Sequence, residues 1–190
     1  MKFHLTYEGI LLGASRSNTR ASHKHEIRKV FHLQMRRLWE ISPRLNDPPG
    51  QDGEERSFHG KLGKYDMFGR RFVPLIDESD GVNCSLKILL LRSDAPGPVV
   101  KSGDLDNRIK TLLDALRLPQ NSDEISGDPS EEDTPFFCLL RDDALIESLS
   151  IKADALLQPI AAVPNSNDAR LVIEVQITPY TSTWTSMSFL

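Results

Sequence analysis

The sequence has few of the features that mark secreted, membrane-spanning or fibrous proteins. Its two cysteines, Cys84 and Cys138, are too few for a disulfide framework and have no histidine at zinc-like spacing. Apolar runs such as 88–91 fall far short of the roughly 20 residues that a membrane-spanning helix needs. The first residues also lack the continuous apolar segment of a signal peptide. We therefore expect a cytoplasmic protein without a membrane segment, in which both cysteines are small buried residues.

The proportions of apolar and charged residues are those of an ordinary globular domain. Apolar residues make up 39% of the 190 residues and charged residues 26%, which excludes a collagen, a wholly disordered chain and a coiled-coil rod. A chain of this length buries about 70% of its unfolded surface, so its core needs no disulfide or structural metal. We expect a single domain that spans 1–190.

Charge is distributed unevenly along the chain. The net charge is −4, but residues 1–73 carry 14 lysines and arginines against 8 acidic residues, whereas residues 74–190 carry 9 against 19. The first segment therefore has a net charge of +6 and the second a net charge of −10. A basic binding surface would produce this asymmetry, and so would chance combined with one acidic loop. The acidic total argues against a general nucleic-acid coat protein.

Hydrophobic periodicity predicts a mixed fold. Alternating residues indicate strands, and three- to four-residue spacing indicates helices, the first of which has Ser22 as its expected N-cap. We expect an α/β (α+β mixed) domain in which two main helices pack on a small mixed sheet of about four core strands. The strands are expected at 2–11, 82–92 (central), 146–153 and 169–178, and the helices at 22–41 and 104–118.

Two polar segments interrupt this pattern. The first, about 42–75, is rich in proline and glycine and contains a short hairpin around Gly69. The second, about 119–136, carries six carboxylates and no lysine or arginine between 120 and 135. We expect both to be insertions in surface loops, the second of them acidic and flexible.

The first helix has a basic stripe beside its apolar one. His25, Lys29, His32 and Arg36 follow one another at helical spacing, on a different face from the apolar residues. A solvated helix surface and a phosphate-binding surface both explain such a stripe.

The second helix begins with two carboxylates that one apolar residue separates. An N-cap accounts for either Asp104 or Asp106, but less readily for both together with Asn107. Two carboxylates at a helix start also suit Mg²⁺, which usually takes one or two from the protein and keeps waters for substrate phosphate. Lys110 and Asp114 share a helix face with Asp106, either as ion pairs or as a cation held beside a metal site.

A further acidic pair, Asp142-Asp143, lies between two segments that have the character of strands. A turn explains such a pair when it is considered alone.

Taken together, these motifs resemble a known family. The string GDLDN at 103–107 is followed by Lys110 and Asp114-Ala-Leu, and Asp142-Asp143 leads into IESLSIKA. This set resembles the RusA family of Holliday junction resolvases, which are small homodimeric, magnesium-dependent α/β endonucleases that nick four-way DNA junctions symmetrically. The resemblance covers about 1–40, 82–118 and 138–178, so the two polar segments become insertions. The 37 residues from Asp106 to Asp143 exceed the gap in compact members.

The resemblance implies a set of site residues. Asp104, Asp106 and Asp143 match the metal-binding catalytic aspartates, Lys110 matches the catalytic lysine, and Asp142 is an auxiliary metal ligand. The implied cofactor is Mg²⁺, with Mn²⁺ as a substitute, and the implied substrate is branched DNA bound by a homodimer. Asp114 is expected to be structural.

Phosphate neutralisation supplies most of the affinity of a DNA-binding protein. The basic residues of the first segment are therefore the candidate DNA contacts, namely Arg16, Arg20, Lys24, Lys29, Arg36, Arg70 and Arg71.

Two other interpretations stay open from the sequence. A catalytically inactive RusA-like protein would keep the fold for DNA binding or assembly, with the insertions serving a partner. An unrelated α/β protein would use the same aspartates as helix caps and turns.

Overall fold

The computed structural model of the chain describes residues 1–13, 20–43, 45, 64–93, 104–127, 134–163, 165–182, 186 and 189. Among these residues, no helix combines the length and the hydropathy that crossing a membrane requires. The elements follow the order β1 (Lys2–Ile10), α1 (Ala21–Ile41), β2 (Tyr65–Met67), β3 (Arg70–Ile76), β4 (Val82–Arg92), α2 (Asp104–Leu116), β5 (Phe136–Leu140), β6 (Ile146–Ala155) and β7 (Asp168–Pro179).

The predicted mixed α/β fold is confirmed, with two sheets in place of one. The larger sheet has the strand order β1-β7-β4-β6, in which β7 is antiparallel to β1 and β4, and β6 is parallel to β4. Strand β4 has the predicted bounds and the predicted inner position. Strand β6 therefore forms one edge of this sheet, and β1 forms the other.

One face of the larger sheet carries the main core. Alternate residues of β4 are buried, among them Leu86 and Ile88, because successive side chains of a strand point to opposite faces. Helix α1 contributes Phe31 and Met35 to the same core, and α2 contributes Leu112. The apolar stripes read from the sequence are thus the surfaces through which both helices pack.

The smaller sheet contains the predicted hairpin, with the strand order β2-β3-β5. Phe68 and Gly69 both have a positive φ (54° and 71°), which is the conformation of a two-residue turn between antiparallel strands. The prediction that about 42–75 is an insertion in a surface loop is wrong for β3. Phe72 and Leu75 of this strand are fully buried, and the strand pairs in parallel with β5. Residues 46–63 of the same segment lie outside the described residues.

The basic stripe predicted on α1 is half buried, which neither interpretation anticipated. His25 and His32 are 0% and 1% exposed, and the His32 ring stacks on Phe136 at 4.3 Å between centroids. His32 Nδ1 also accepts the backbone N–H of Phe137 at 2.8 Å, so this histidine pairs with the outer edge of β5. Lys29 lies nearer the surface and pairs with a glutamate of its own helix.

The start of α1 also differs from the prediction. The helix begins at Ala21, and its N-cap is Arg20 without a side-chain cap, so Ser22 lies inside the first turn. The Ser22 hydroxyl therefore does not cap the first amide groups of the helix as predicted.

A buried arginine joins α1 to the beginning of the acidic segment. Arg28 is 1% exposed and donates to the carbonyl oxygens of Asp114 and Arg117, and its guanidinium pairs with Glu124 at 3.1 Å. Glu124 also pairs with Arg117. The segment around Glu124 is therefore held against α1 and the end of α2, which corrects the expectation of a flexible segment there, while 128–133 lie outside the described residues.

A second polar cluster precedes β4. The Asp77 carboxylate is buried and accepts hydrogen bonds from Tyr65, Lys64 and Ser79. Burial by itself raises the pKa of Asp77, but the hydrogen bonds from Tyr65, Ser79 and Lys64 outweigh it and hold the pKa well below its usual value. The ionised carboxylate therefore stabilises the fold above about pH 4, and this contribution is lost as the pH falls towards the depressed pKa.

Replacing Tyr65 tests this network. We expect Tyr65→Phe to lower the free energy of unfolding by about 1.5–3 kcal/mol at neutral pH, because a hydrogen bond to a buried carboxylate is lost. The difference from the wild type should shrink at about pH 3, where Asp77 stabilises the wild type less. Urea unfolding at the two pH values measures it, with the exposed Tyr180→Phe as the control. Equal stability of the Tyr65→Phe variant and the wild type would contradict the assignment.

Candidate metal and DNA-binding site

The first group of candidate residues lies at the start of α2, and we call Asp104, Asp106 and Lys110 the helix half-site. Asp106 and Lys110 are exposed and lie one turn apart on the same face of the helix. Asp104 is the first helical residue, and its side chain is outside what the structure describes. The positive end of the helix dipole favours carboxylates at this position.

The helix half-site belongs to the end of the sheet at which β4 finishes. Arg108, in the first turns of α2, donates to the side-chain oxygen of Asn167 at 3.3 Å. Asn167 immediately precedes β7, whose Ala169 is paired with Arg92, the last residue of β4. The start of α2 and the end of β4 are therefore close together, as they are when a helix runs back across its sheet.

The second group consists of Asp142 and Asp143, and we call this pair the strand half-site. Asp142 caps a short turn, its carboxylate accepting the Ala144 N–H at 2.9 Å, while Asp143 is exposed. This hydrogen bond lowers the pKa of Asp142 against the opposing effect of burial, and a hydrogen bond with Asp143 and the charges of Arg117 and Arg141 add to the decrease. Asp142 is thus ionised at neutral pH, as a metal ligand must be.

The strand half-site belongs to the opposite end of the sheet. Leu118, just beyond α2, donates its N–H to the carbonyl oxygen of Leu140, two residues before Asp142. Three residues after Asp143, Ile146 begins β6 and is paired with Cys84, near the start of β4. The strand half-site is therefore next to the C-terminal end of α2.

One chain does not bring the two half-sites together. From Asp106 to Leu116 the helix rises by about 15 Å, at 1.5 Å per residue, and Asp143 lies beyond that far end. Two ligands of one Mg²⁺ must each approach the ion to about 2.1 Å, which this separation prevents. Within the described residues, no group of three histidine, cysteine, aspartate or glutamate side chains is arranged to hold a metal. The resemblance to the RusA family had implied one metal site that contains both Asp106 and Asp143.

The helix half-site has one described carboxylate, that of Asp106, and the strand half-site has two. Exposed carboxylate oxygens are hard ligands, and Mg²⁺ commonly takes one or two of them together with water and substrate phosphate. Lys110 forms no ion pair with a described residue, so its ammonium group is accessible to a phosphate. Asp114, one turn further along α2, is instead buried between Lys24 at 2.5 Å and Arg117 at 2.8 Å and is a structural residue.

The structure sorts the candidate DNA contacts by exposure. Arg70 is 3% exposed and donates to the Gly127 carbonyl oxygen, so it leaves the set of accessible cations. Lys24 is paired with Asp114 and is committed to that ion pair. Arg71 is exposed on β3, Arg20 is half-buried, and Arg16 lies outside the described residues. Lys29 and Arg36 form partly exposed pairs with Glu26 and Glu40, which water screens.

The sequence interpretation overlooked a cation beside the strand half-site. Arg141 precedes Asp142 directly and lies partly exposed, where it pairs with Glu78 at 2.7 Å. Its position next to two aspartates was the available signal, but only those aspartates were assigned a role from the sequence, and the candidate DNA contacts were taken from residues 1–73. Arg141 is thus a candidate phosphate contact within reach of the acidic pair.

Comparison with known proteins gives no independent support for the assignment of the two half-sites. No protein-family model matches the chain, and a search of curated proteins finds no match.

Proposed function

We propose that this protein is a magnesium-dependent endonuclease that acts as a homodimer and cuts branched DNA, with four-way junctions as its substrate. The observation that carries the proposal is the helix half-site, where Asp106 and Lys110 are exposed side by side at a helix start. Asp106 and Lys110 are also two of the residues that carry the resemblance to the RusA family. An exposed carboxylate and an accessible ammonium group suit a phosphodiester better than a purely structural role, since neither contributes to the core.

The proposed chemistry divides the work between the carboxylates and Lys110. A bound Mg²⁺ would supply an activated water and neutralise charge on the phosphoryl oxygens. Asp104, Asp106 and Asp143 would hold the ion, with Asp142 as an auxiliary ligand. Lys110 contacts a non-bridging oxygen of the scissile phosphate, where its charge stabilises the negative charge that develops in the transition state.

The separation of the half-sites gives this proposal a definite form. Because Asp106 and Asp143 are at opposite ends of α2 in one chain, a centre that uses both must take one from each of two copies. A two-fold dimer then contains two such centres, since each copy contributes its helix half-site to one and its strand half-site to the other. Two centres suit the two symmetric cuts that resolve a four-way junction.

Cleavage of a synthetic junction tests the proposed function. We expect the full chain to make paired symmetric nicks in a labelled four-way junction with Mg²⁺, and none when EDTA replaces the metal. The matching linear duplex is the control substrate, and it should be cut at least about 100-fold more slowly if the protein selects branched DNA. Cleavage in EDTA, or equal cleavage of the duplex, would contradict the proposal.

The separated half-sites also support a second candidate, a catalytically inactive DNA-binding or assembly protein. If a dimer does not bring the two half-sites together, each half-site by itself has too few described carboxylates for the proposed metal centre. This candidate predicts junction binding that neither Mg²⁺ nor Asp106→Asn alters, with no cleavage under any metal. A gel-shift titration run beside the cleavage assay separates the two.

A further inference from the structure

Strand β6 extends the core face of the larger sheet by one strand that the described residues leave exposed. In the parallel ladder, Leu149 is paired with Leu86 and Ile151 with Ile88, so all four side chains point to the core face of the sheet. Leu86 and Ile88 are 1% and 2% exposed, whereas Leu149 and Ile151 are 41% and 36% exposed. The apolar face thus extends one strand beyond the part that the described residues cover.

The backbone of the same edge also differs from the outer edges of β1 and β5. At β1, the Gln34 side chain accepts the Thr6 N–H at 2.9 Å and donates to the Thr6 carbonyl oxygen at 2.7 Å. At β5, His32 accepts the N–H of Phe137. Among the described residues, no backbone group pairs with the outer edge of the ten-residue β6. A long unpaired edge is a template for another strand.

We propose that β6 is the dimer interface, at which two copies pair their β6 strands antiparallel around a two-fold axis through Ser150. In this register Leu149 of each copy lies opposite Ile151 of the other, so four apolar side chains meet on the core face. A shift of the axis to position 149 would set Ile151 against Glu147, and a shift to 151 would set Leu149 against the smaller Ala153. The Ser150 register is therefore the one that buries both large apolar residues against each other.

A second copy fits this edge better than an unrelated partner for a geometric reason, which rests on the proposed function. Antiparallel pairing places the start of each β6 beside the end of its partner. The start of β6 follows Asp143. The end of β6, Ala155, is paired with Arg92, and the first turns of α2 lie at this same end of the sheet. Each strand half-site thus comes to the end of the sheet at which the other copy has its helix half-site. An identical chain supplies the residues that one chain keeps apart.

Molecular mass and a paired substitution test the interface without DNA or metal. We expect analytical ultracentrifugation of the wild type to give a molecular mass of twice the 21.4 kDa chain mass. The double variant Leu149→Lys/Ile151→Lys should be monomeric, with dimerisation weakened at least about 100-fold, because four charges would meet at the centre of the interface. Leu33→Lys, at a residue of α1 that is 62% exposed, is the matched control and should stay dimeric. A monomeric wild type, or a folded double variant that remains dimeric, would overturn the proposal.

Cysteine cross-linking tests the register independently of any folding defect in the lysine variants. With the axis through Ser150, the two Ser150→Cys residues lie opposite each other at a Cα separation of about 5 Å, which permits a disulfide. We expect mild oxidation to give a covalent dimer with Ser150→Cys and none with Ser148→Cys, which is equally exposed on β6 but four residues from its symmetry mate across the interface. The native cysteines are buried and do not interfere. Absence of the Ser150→Cys cross-link would reject the register.

The outcomes for interface and chemistry are separable. A dimer that cross-links through Ser150→Cys but never cuts DNA keeps the interface and rejects the endonuclease. A monomer that cuts junctions with Mg²⁺ rejects the interface and keeps the endonuclease.

Discussion

Asp106→Asn should abolish magnesium-dependent cleavage of a four-way junction while leaving the fold and DNA binding intact. We expect a loss of at least about 100-fold in the rate, because removing a direct metal ligand costs more than removing an outer partner, which costs about 10- to 100-fold. Asp106 is exposed, so its substitution should change the free energy of unfolding by less than about 0.5 kcal/mol. Single-turnover cleavage rates across a Mg²⁺ titration measure the effect.

The controls for this variant separate a lost ligand from a lost charge. Glu40→Gln removes one negative charge from an exposed position on α1 and should leave the rate within about two-fold of the wild type. Junction binding by Asp106→Asn in EDTA should match the wild type or exceed it, because one carboxylate that repels phosphate is gone. If Asp106→Asn cleaved the junction at the wild-type rate, the metal centre would lie elsewhere.

Mixing two inactive variants should restore cleavage if each centre takes residues from two copies. In a heterodimer of Asp106→Asn and Asp143→Asn, one centre receives both substitutions and the other receives none. Random exchange of equal amounts makes half of the dimers heterodimers, so activity should return to about a quarter of the wild-type level. The product should be single nicks, since each heterodimer retains one intact centre. Either variant alone should be inactive.

The alternative arrangement predicts a different result from the same mixture. If each centre were built within one chain, every centre in every dimer would carry a substitution, and the mixture would stay inactive. A mixture of Asp106→Asn with Lys110→Ala provides the matched negative control, because both residues belong to the helix half-site and every centre lacks one of them. Restored cleavage in that control would contradict the grouping of Asp106 with Lys110.

Local patterns predicted the elements well because local chemistry determines them. Strand β4 has the predicted bounds, since its dense run of leucine, isoleucine and valine lies between two turn-forming sequences, Asp80-Gly81 and 94–98. Helix α2 starts at the predicted Asp104 and ends two residues before the predicted 118. The alternation in β6 and β7 likewise identified two strands that prove slightly longer than predicted.

Burial was predicted less well, because it depends on residues far away in the sequence. His25 and His32 have the spacing of a solvated stripe, yet they are buried because β5 packs against that face of α1 about 105 residues later. Leu149 and Ile151 have the spacing of core residues, yet they are exposed because β6 lies at a sheet edge. The spacing of residues along a helix or a strand is the same whether or not another element packs on that face.

The sequence by itself determined the element types, the apolar faces and the short-range acidic motifs, since each follows from neighbours within about four residues. It also determined that Asp106 and Lys110 share a helix face. The tertiary structure alone decided the distance between Asp106 and Asp143, because the direction in which α2 runs back across the sheet sets that distance. It also placed β6 at an edge of the larger sheet, since strand order depends on pairings between segments far apart in the chain.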